Sequence, residues 1–312
     1  MTRGKRAARW QLFASGLAFG LMAALVRLVS RDAGGFSGPQ MATVRFGVGT
    51  AAMVVAFRLR PGSFLPSRPW LLATRGLLGG LAAVLYFFSL ARIPAAEATL
   101  INNTFPVLAT VVSIYTLRER PTFRLAGALL AVAVGVGLVI GPGTPYGGFG
   151  SGELFAIGAA VTAGLSVTSI RALRTTSNAA TIFFAFCVGG LVVAVPMAGG
   201  AWPSAPRLWA IAVAAALLST LGQLLMTAAY GALTVAEAAL WQQLTPVAAY
   251  LWAIALLDER MTSVGLAGIL VCVAGAAYGS ASGKSSVPGA QALDTEPAPA
   301  LEDAARARST PP

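Results

Sequence analysis

The chain has 312 residues, 56% of them apolar and only 11% charged, with a mean hydropathy of +0.74, which leaves too little polar surface for a soluble globule and places it in a membrane. The formal charge of +11 does not point to nucleic acid, because the basic residues fall mostly in short gaps between apolar runs rather than on one polar face. There is no histidine, and Cys187 and Cys272 lie inside apolar runs without ligand spacing, so no metal site, disulfide framework or cofactor is expected.

A bilayer core of about 30 Å takes roughly 20 apolar residues per helix. Ten such runs can be counted, near 10–29, 37–57, 70–91, 95–117, 123–141, 152–170, 179–198, 207–230, 234–257 and 263–281. The first follows Arg3, Lys5, Arg6 and Arg9 in the manner of a signal peptide, but it exceeds a signal core of roughly 7–15 residues and has no small-residue cleavage site, so it reads as a membrane helix. The expected organisation is a basic cytoplasmic segment at 1–9, a five-helix unit at 10–141, a Gly-rich linker at 142–151, a second five-helix unit at 152–281 and a tail at 282–312. That tail, rich in Ala, Pro, Ser and charge, cannot bury a core and is expected to be disordered.

The two units are copies of one another. The segment AEATLINNTFPVLATVVSIYTLRERPT at 96–122 returns 140 positions later as AEAALWQQLTPVAAYLWAIALLDERMT at 236–262. Each copy opens with an acidic residue, Glu97 or Glu237, carries a polar pair just before a proline, and ends in Glu-Arg. Five helices separate the copies, and five is odd, so the halves are inverted in the membrane. With the N-terminus cytoplasmic, 15 basic residues fall inside and four outside, Arg31, Arg92, Arg207 and Arg260, which sets both termini inside by the positive-inside rule. Arg27, Arg45 and Arg75 remain within the runs.

The RFGVG segment containing Arg45, the stretch from Arg75 to Ile140 and the second copy from Tyr230 to Gly279 resemble the drug/metabolite transporter superfamily, specifically its ten-helix EamA type built from two five-helix domains. The resemblance implies an all-α integral membrane protein of ten transmembrane helices in two inverted repeats. It also implies movement of small metabolites, often amino acids or related compounds, usually driven by ion gradients or exchange.

Several residues are candidates for the transport chemistry. A proline inside a helix removes one backbone bond and crowds the carbonyl four residues earlier, so Pro106 and Pro246 free the carbonyls of Asn102 and Gln242. These begin the pairs Asn102-Asn103 and Gln242-Gln243. Such groups are tolerated in hydrocarbon only where they face protein or a wet cavity, so both kinks either line a central cavity or knit helices together. Glu97 and Glu237 open the fourth and ninth runs, as a proton or cation relay or as acids favoured by the helix dipole. Arg45 and Arg75 could hold a substrate carboxylate through a bidentate fork, with Arg45, deeper in its run, the better candidate and pairing to a carbonyl or acid within the protein the equal alternative. Arg75 lies about one turn inside the third run, where snorkelling to the interface is the plainer account. Tyr86, Tyr230 and Trp241 belong to an aromatic group in which Tyr230 and Trp241 could stack on a planar or cationic ligand, and Gln223 adds to a polar stripe with Ser219 and Thr220. The Glu-Arg pairs at 119–120 and 259–260 read as ion pairs that latch a loop or fix a helix end. The spacings Gly16 to Gly20 and Gly76 to Gly80 allow close helix contact.

The expected function is a secondary active transporter of the inner membrane, not an enzyme, working by alternating access on a small organic metabolite, with export as the expected direction. Its partners would be that small molecule, the lipid bilayer, and protons or an exchanged metabolite. A carrier taking up an S-adenosylmethionine-like or nucleoside-like solute is the alternative within the class. A lipid-handling membrane protein or enzyme would need nucleophile, base or metal ligands clustered at one interface, and a channel would need a continuous polar stripe.

Overall fold

The computed structural model describes residues 3–31, 34–105, 149–174, 176–230, 241–242, 244–259 and 262–280, together with positions 108, 123, 127–128, 130–131, 134–135, 138 and 232. The expected linker at 142–151 lies largely, and the tail wholly, outside these residues. The described residues form helices and no strand. Six of the helices are long and apolar enough to cross a bilayer: α1 (Arg3–Ser30), α2 (Gly38–Leu59), α3 (Pro69–Leu90), α5 (Ser151–Arg174), α6 (Ala179–Met197) and α7 (Pro206–Ala229). Between α3 and α5 lies α4 (Ala95–Asn102), and the chain continues through α8 (Leu244–Leu257) and α9 (Ser263–Ser280). Of the fifth expected run only scattered positions are described, and those are helical.

Local chemistry sets the helix starts. At α2, Ser37 Oγ accepts from Gln40 N at 3.3 Å while the Gln40 side chain accepts from Ser37 N at 3.0 Å, a reciprocal cap that satisfies two otherwise orphaned donors. Pro69 and Pro206 begin α3 and α7, where the missing N–H costs nothing. The Asn178 side chain caps α6 by accepting from Thr181 N at 2.8 Å.

The two halves interleave. α1 packs on α7 and α8, α3 on α5 and α6, α2 on α6 and α7, and α4 on α8 and α5. Exchanging α1 with α5, α2 with α6, α3 with α7 and α4 with α8 maps this set of contacts onto itself, which is the packing expected of a duplicated unit. Helices as apolar as lipid gain nothing from burial alone, so close backbone approach has to supply the attraction. A Cβ on Gly80 would lie 2.6 Å from Gly190 Cα, and one on Gly20 would lie 2.6 Å from Ala248 Cβ. Gly76 meets Gly189 backbone to backbone. The paired glycines of α1 and α3 are thus contact points between halves.

The fourth run does not form one helix. α4 ends at Asn102, Asn103 and Thr104 form a turn, and Phe105 and Leu108 are helical again. The break falls just ahead of Pro106, itself outside the described residues. In the second copy Pro246 is the third residue of α8, and the carbonyl four residues before it, on Gln242, accepts a hydrogen bond from Asn103 Nδ2 at 2.7 Å. The backbone group released by one repeat is satisfied by the amide of the other.

The two ends of the bundle are fastened differently. At one, Arg27 Nε pairs with Glu259 Oε1 at 2.9 Å and Arg27 Nη1 donates to Leu90 O at 3.3 Å, while Ala95 N donates to Glu259 Oε2 at 3.1 Å. This clasp gathers the ends of α1, α3 and α8 with the start of α4. The acid of the second Glu-Arg pair is therefore latched to Arg27, across the bundle. At the opposite end the α2–α3 loop meets the α5–α6 loop through neutral groups: Ser67 Oγ lies 2.7 Å from Ser177 Oγ, Asn178 Nδ2 donates to Ser63 O at 2.6 Å, and Leu65 N donates to Thr181 Oγ1 at 3.0 Å.

Two consequences are measurable in detergent-solubilised protein. Asn103→Ala leaves the Gln242 carbonyl buried without a donor and should lower unfolding stability by about 1–3 kcal/mol, seen as an earlier thermal transition. In a double-mutant cycle, Arg27→Gln and Glu259→Gln should each destabilise more than half as much as the pair together, with a coupling of about 1–3 kcal/mol, because each single change leaves a buried charge unmatched.

Candidate substrate-binding site

A cavity of about 120 Å³ lies inside the bundle where the two halves meet. α1 contributes Ser15, Gly16 and Phe19 to its wall, α2 contributes Arg45, and α3 contributes Arg75, Gly79 and Tyr86. Thr99, Asn102 and Asn103 come from α4 and the turn that ends it. Phe186 of α6, Gln223 of α7, Thr245 of α8 and Gln242 close the other side.

Arg45 is 8% exposed, and its guanidinium carbon lies 5.4, 5.6 and 5.5 Å from the ring centres of Phe46, Phe87 and Phe186. It has no hydrogen-bond or ion-pair partner among the described residues. The rings supply roughly 2 kcal/mol of cation–π attraction in a desolvated setting, which offsets the cost of a central arginine, at least about 2.5 kcal/mol, while leaving its donors free. Arg75, 4% exposed, does not snorkel. Its Nη1 donates to Ser166 Oγ at 2.6 Å, Ser166 Oγ donates back to Arg75 O at 3.0 Å, and the guanidinium carbon sits 4.4 Å from the Phe186 ring. Its Nε is buried without a partner. The snorkelling account fails because Gly79 and Phe186 close around the side chain: a Cβ on Gly79 would lie 2.7 Å from both Arg75 Nη1 and the Phe186 ring.

Both guanidinium groups thus lie against one ring, Phe186, and can be no further apart than those two distances laid end to end. At that reach two like charges repel by on the order of 2 kcal/mol for an effective dielectric near 20. No carboxylate appears among the described residues that line the cavity.

Neutral polar groups complete the wall. Thr99 Oγ1 donates to Ala95 O at 2.6 Å, so the Tyr86 hydroxyl, 2.6 Å from Thr99 Oγ1, is the donor in that pair and its oxygen remains an acceptor. Gln223 is 4% exposed and its Nε2 has no partner. Gln242 Nε2 donates to the Tyr230 hydroxyl at 2.6 Å.

Of the residues singled out in the sequence, Arg45, Tyr86, Asn102, Asn103, Gln223 and Gln242 come together on the cavity wall. Tyr230 and Trp241 are not among the residues that line this cavity; they pack with Leu12 and Met226, which do. Pro246 shapes the wall through Gln242 without lining it. Glu97, 4% exposed, lies in the first turn of α4 and off the wall, the position of a helix N-terminal acid. Pro106, Gln243 and Glu237 are outside the described residues. Sequence reasoning ranked Arg75 below Arg45 as a carboxylate ligand and passed over Ser15, Thr99, Thr245 and Phe186 as wall residues. A further signal for Arg75 was Gly79, one helical turn on, which makes room for a side chain folded along its own helix. Among the described residues there is no group of three or more metal-binding side chains.

The chain matches the sequence model of the EamA-like transporter family twice, over residues 9–141 and 150–279. It is similar to the pseudopaline exporter CntI of Pseudomonas aeruginosa strains UCBPP-PA14 and PAO1, with 26% identity over 214 residues, covering 68% of this chain and 74% of the relative. Its fold is similar to that of a protein of known crystal structure, with a TM-score of 0.65 at 20% identity, over 88% of this chain and 96% of the other. Two successive family matches, spanning the helices that enclose the cavity, make this chain a member of the EamA-like transporter family.

Proposed function

We propose that the protein is a secondary active transporter that exports a small organic metabolite, an amino acid or a related compound, across the inner membrane by alternating access, with both termini cytoplasmic. The observation that carries this reading is the cavity itself, which lies at the crossing of α4 and α8 and draws its wall from both repeats. Family membership supports transport. The P. aeruginosa relative is an exporter, which supports the direction.

In this reading the two five-helix units are inverted repeats that rock about the cavity, Pro106 shapes its wall as Pro246 does, and Gln243 belongs to that wall by its match to Asn103 in the other copy. The clasp of Arg27 and Glu259 holds one face shut in the present conformation, the outer face if the N-terminus is cytoplasmic. Glu97 and its counterpart Glu237 are the proposed coupling groups. The buried Glu97 carboxylate neighbours the clasp through Ala95 and so stands where its charge would bias the closed face.

The direct test is counterflow in proteoliposomes loaded with amino acids and related metabolites. Saturable exchange of a labelled compound is expected, whereas flux without saturation would mark a channel and product formation without a gradient an enzyme. Glu97→Gln should leave substrate affinity within about twofold while removing the response of transport to an imposed pH gradient; an unchanged response would reduce Glu97 to a helix-end acid.

A further inference from the structure

We infer that the cavity is built for an organic dianion, a molecule with two carboxylates or an equivalent pair of anionic groups, held between Arg45 and Arg75 with Gln223 as a third donor. The inference deepens the transporter reading and rests on it for the word substrate, though not for binding.

Both guanidinium groups line one space, share the face of Phe186 and meet no carboxylate among the described residues of the wall. Each retains donors: Arg45 has no hydrogen-bond partner among the described residues, and Arg75 bonds through Nη1 alone with Nε unmatched. Gln223 presents a buried, unpartnered amide N–H at the same space. With two guanidinium groups and no carboxylate among the described residues of its wall, the cavity recognises negative charge.

The repeat argues that these charges serve a ligand rather than the fold. At the offset of 140, RFGVG at 45–49 matches AFCVG at 185–189, so Arg45 corresponds to Ala185 while Phe46 and Phe186 correspond to one another. Likewise RGLLGGL at 75–81 matches AALLSTL at 215–221, so Arg75 corresponds to Ala215. The phenylalanine is kept in both copies, and the two rings meet at 5.2 Å, while the charge stands in only one. A brace needed by the five-helix unit would recur, whereas a site at the junction of two units needs each charge once.

One anion would leave the second guanidinium of the same cavity uncompensated. An ammonium would enter a cavity that already holds two positive charges and no described acid. The expected order of affinity is therefore dianion above monoanion above zwitterion.

The experiment uses the full chain in detergent and reads ligand-induced stabilisation, with the dicarboxylates from malonate to adipate, the matching monocarboxylates and neutral amino acids as probes. At least one dicarboxylate should raise the melting temperature, with about tenfold or greater preference over its monocarboxylate. Arg75→Gln should abolish that preference while monocarboxylate affinity stays within about threefold, a switch that a structural arginine would not produce. Arg45→Gln should do the same from the other side, and Arg207→Gln, exposed at the start of α7, should change nothing. Equal binding of monoanions and dianions by the wild type, no stabilisation by any dicarboxylate, or an unaltered preference in both folded Gln variants overturns the inference. Counterflow separates the two ideas: saturable exchange of a neutral or cationic solute alone would keep the transporter and sink the dianion site, and dicarboxylate binding without exchange would do the reverse.

Discussion

Inside a bilayer no water is at hand for an unpaired peptide group, so a helix can be interrupted only where another part of the protein takes over the lost bond. The junction of this molecule is organised around that constraint. Pro246 releases the carbonyl of Gln242, and the amide of Asn103, itself in the turn that ends α4, supplies the replacement donor at 2.7 Å. The second repeat is therefore completed at its proline by the first, and the bond ties the turn that ends α4 to the residues just ahead of α8. The cavity opens beside this junction, with Asn102, Asn103, Gln242 and Thr245 in its wall.

The three arginines within the apolar runs show three ways to keep a cation in such surroundings. Arg27 has a carboxylate partner and a helix-end carbonyl, and its charge is used up in holding one face together. Arg45 rests among three aromatic rings that stabilise the charge without occupying its N–H groups. Arg75 is intermediate, with a serine on one nitrogen and a ring against its face. The contrast separates an arginine that works for architecture from two that keep their bonding capacity in reserve.

Much of this was legible in the sequence, because a duplicated hydrophobic pattern constrains both the number of spans and their pairing. The all-helical fold, the polar pairs beside the prolines and the inward placement of Arg45 follow from the apolar runs and from the cost of polar groups in hydrocarbon. What could not be read was lateral neighbourhood. Tyr230 and Trp241 have the chemistry of a binding platform, yet they do not line the cavity and pack instead with Leu12 and Met226. Arg75 lies close enough to its helix start to reach the interface, and only the closeness of α6 shows that the side chain is enclosed instead. Glu259 sits beside Arg260 in the chain, but its partner is 232 residues away. Periodicity assigns a residue to a helix and a depth; which neighbour faces it depends on crossings that no local pattern records.

The glycine seam between α3 and α6 has a mechanical meaning. Where Gly76 lies on Gly189 and Gly80 on Gly190, main chain rests on main chain, with no side-chain rotamers in between to yield. Such a contact resists sliding, since any shift along the axes drives a neighbouring bulky side chain into the seam. It permits a small swivel, because the touching area is narrow and smooth. Any rotation of α3 against α6 would be smallest along the line through these four glycines and would grow with distance from it.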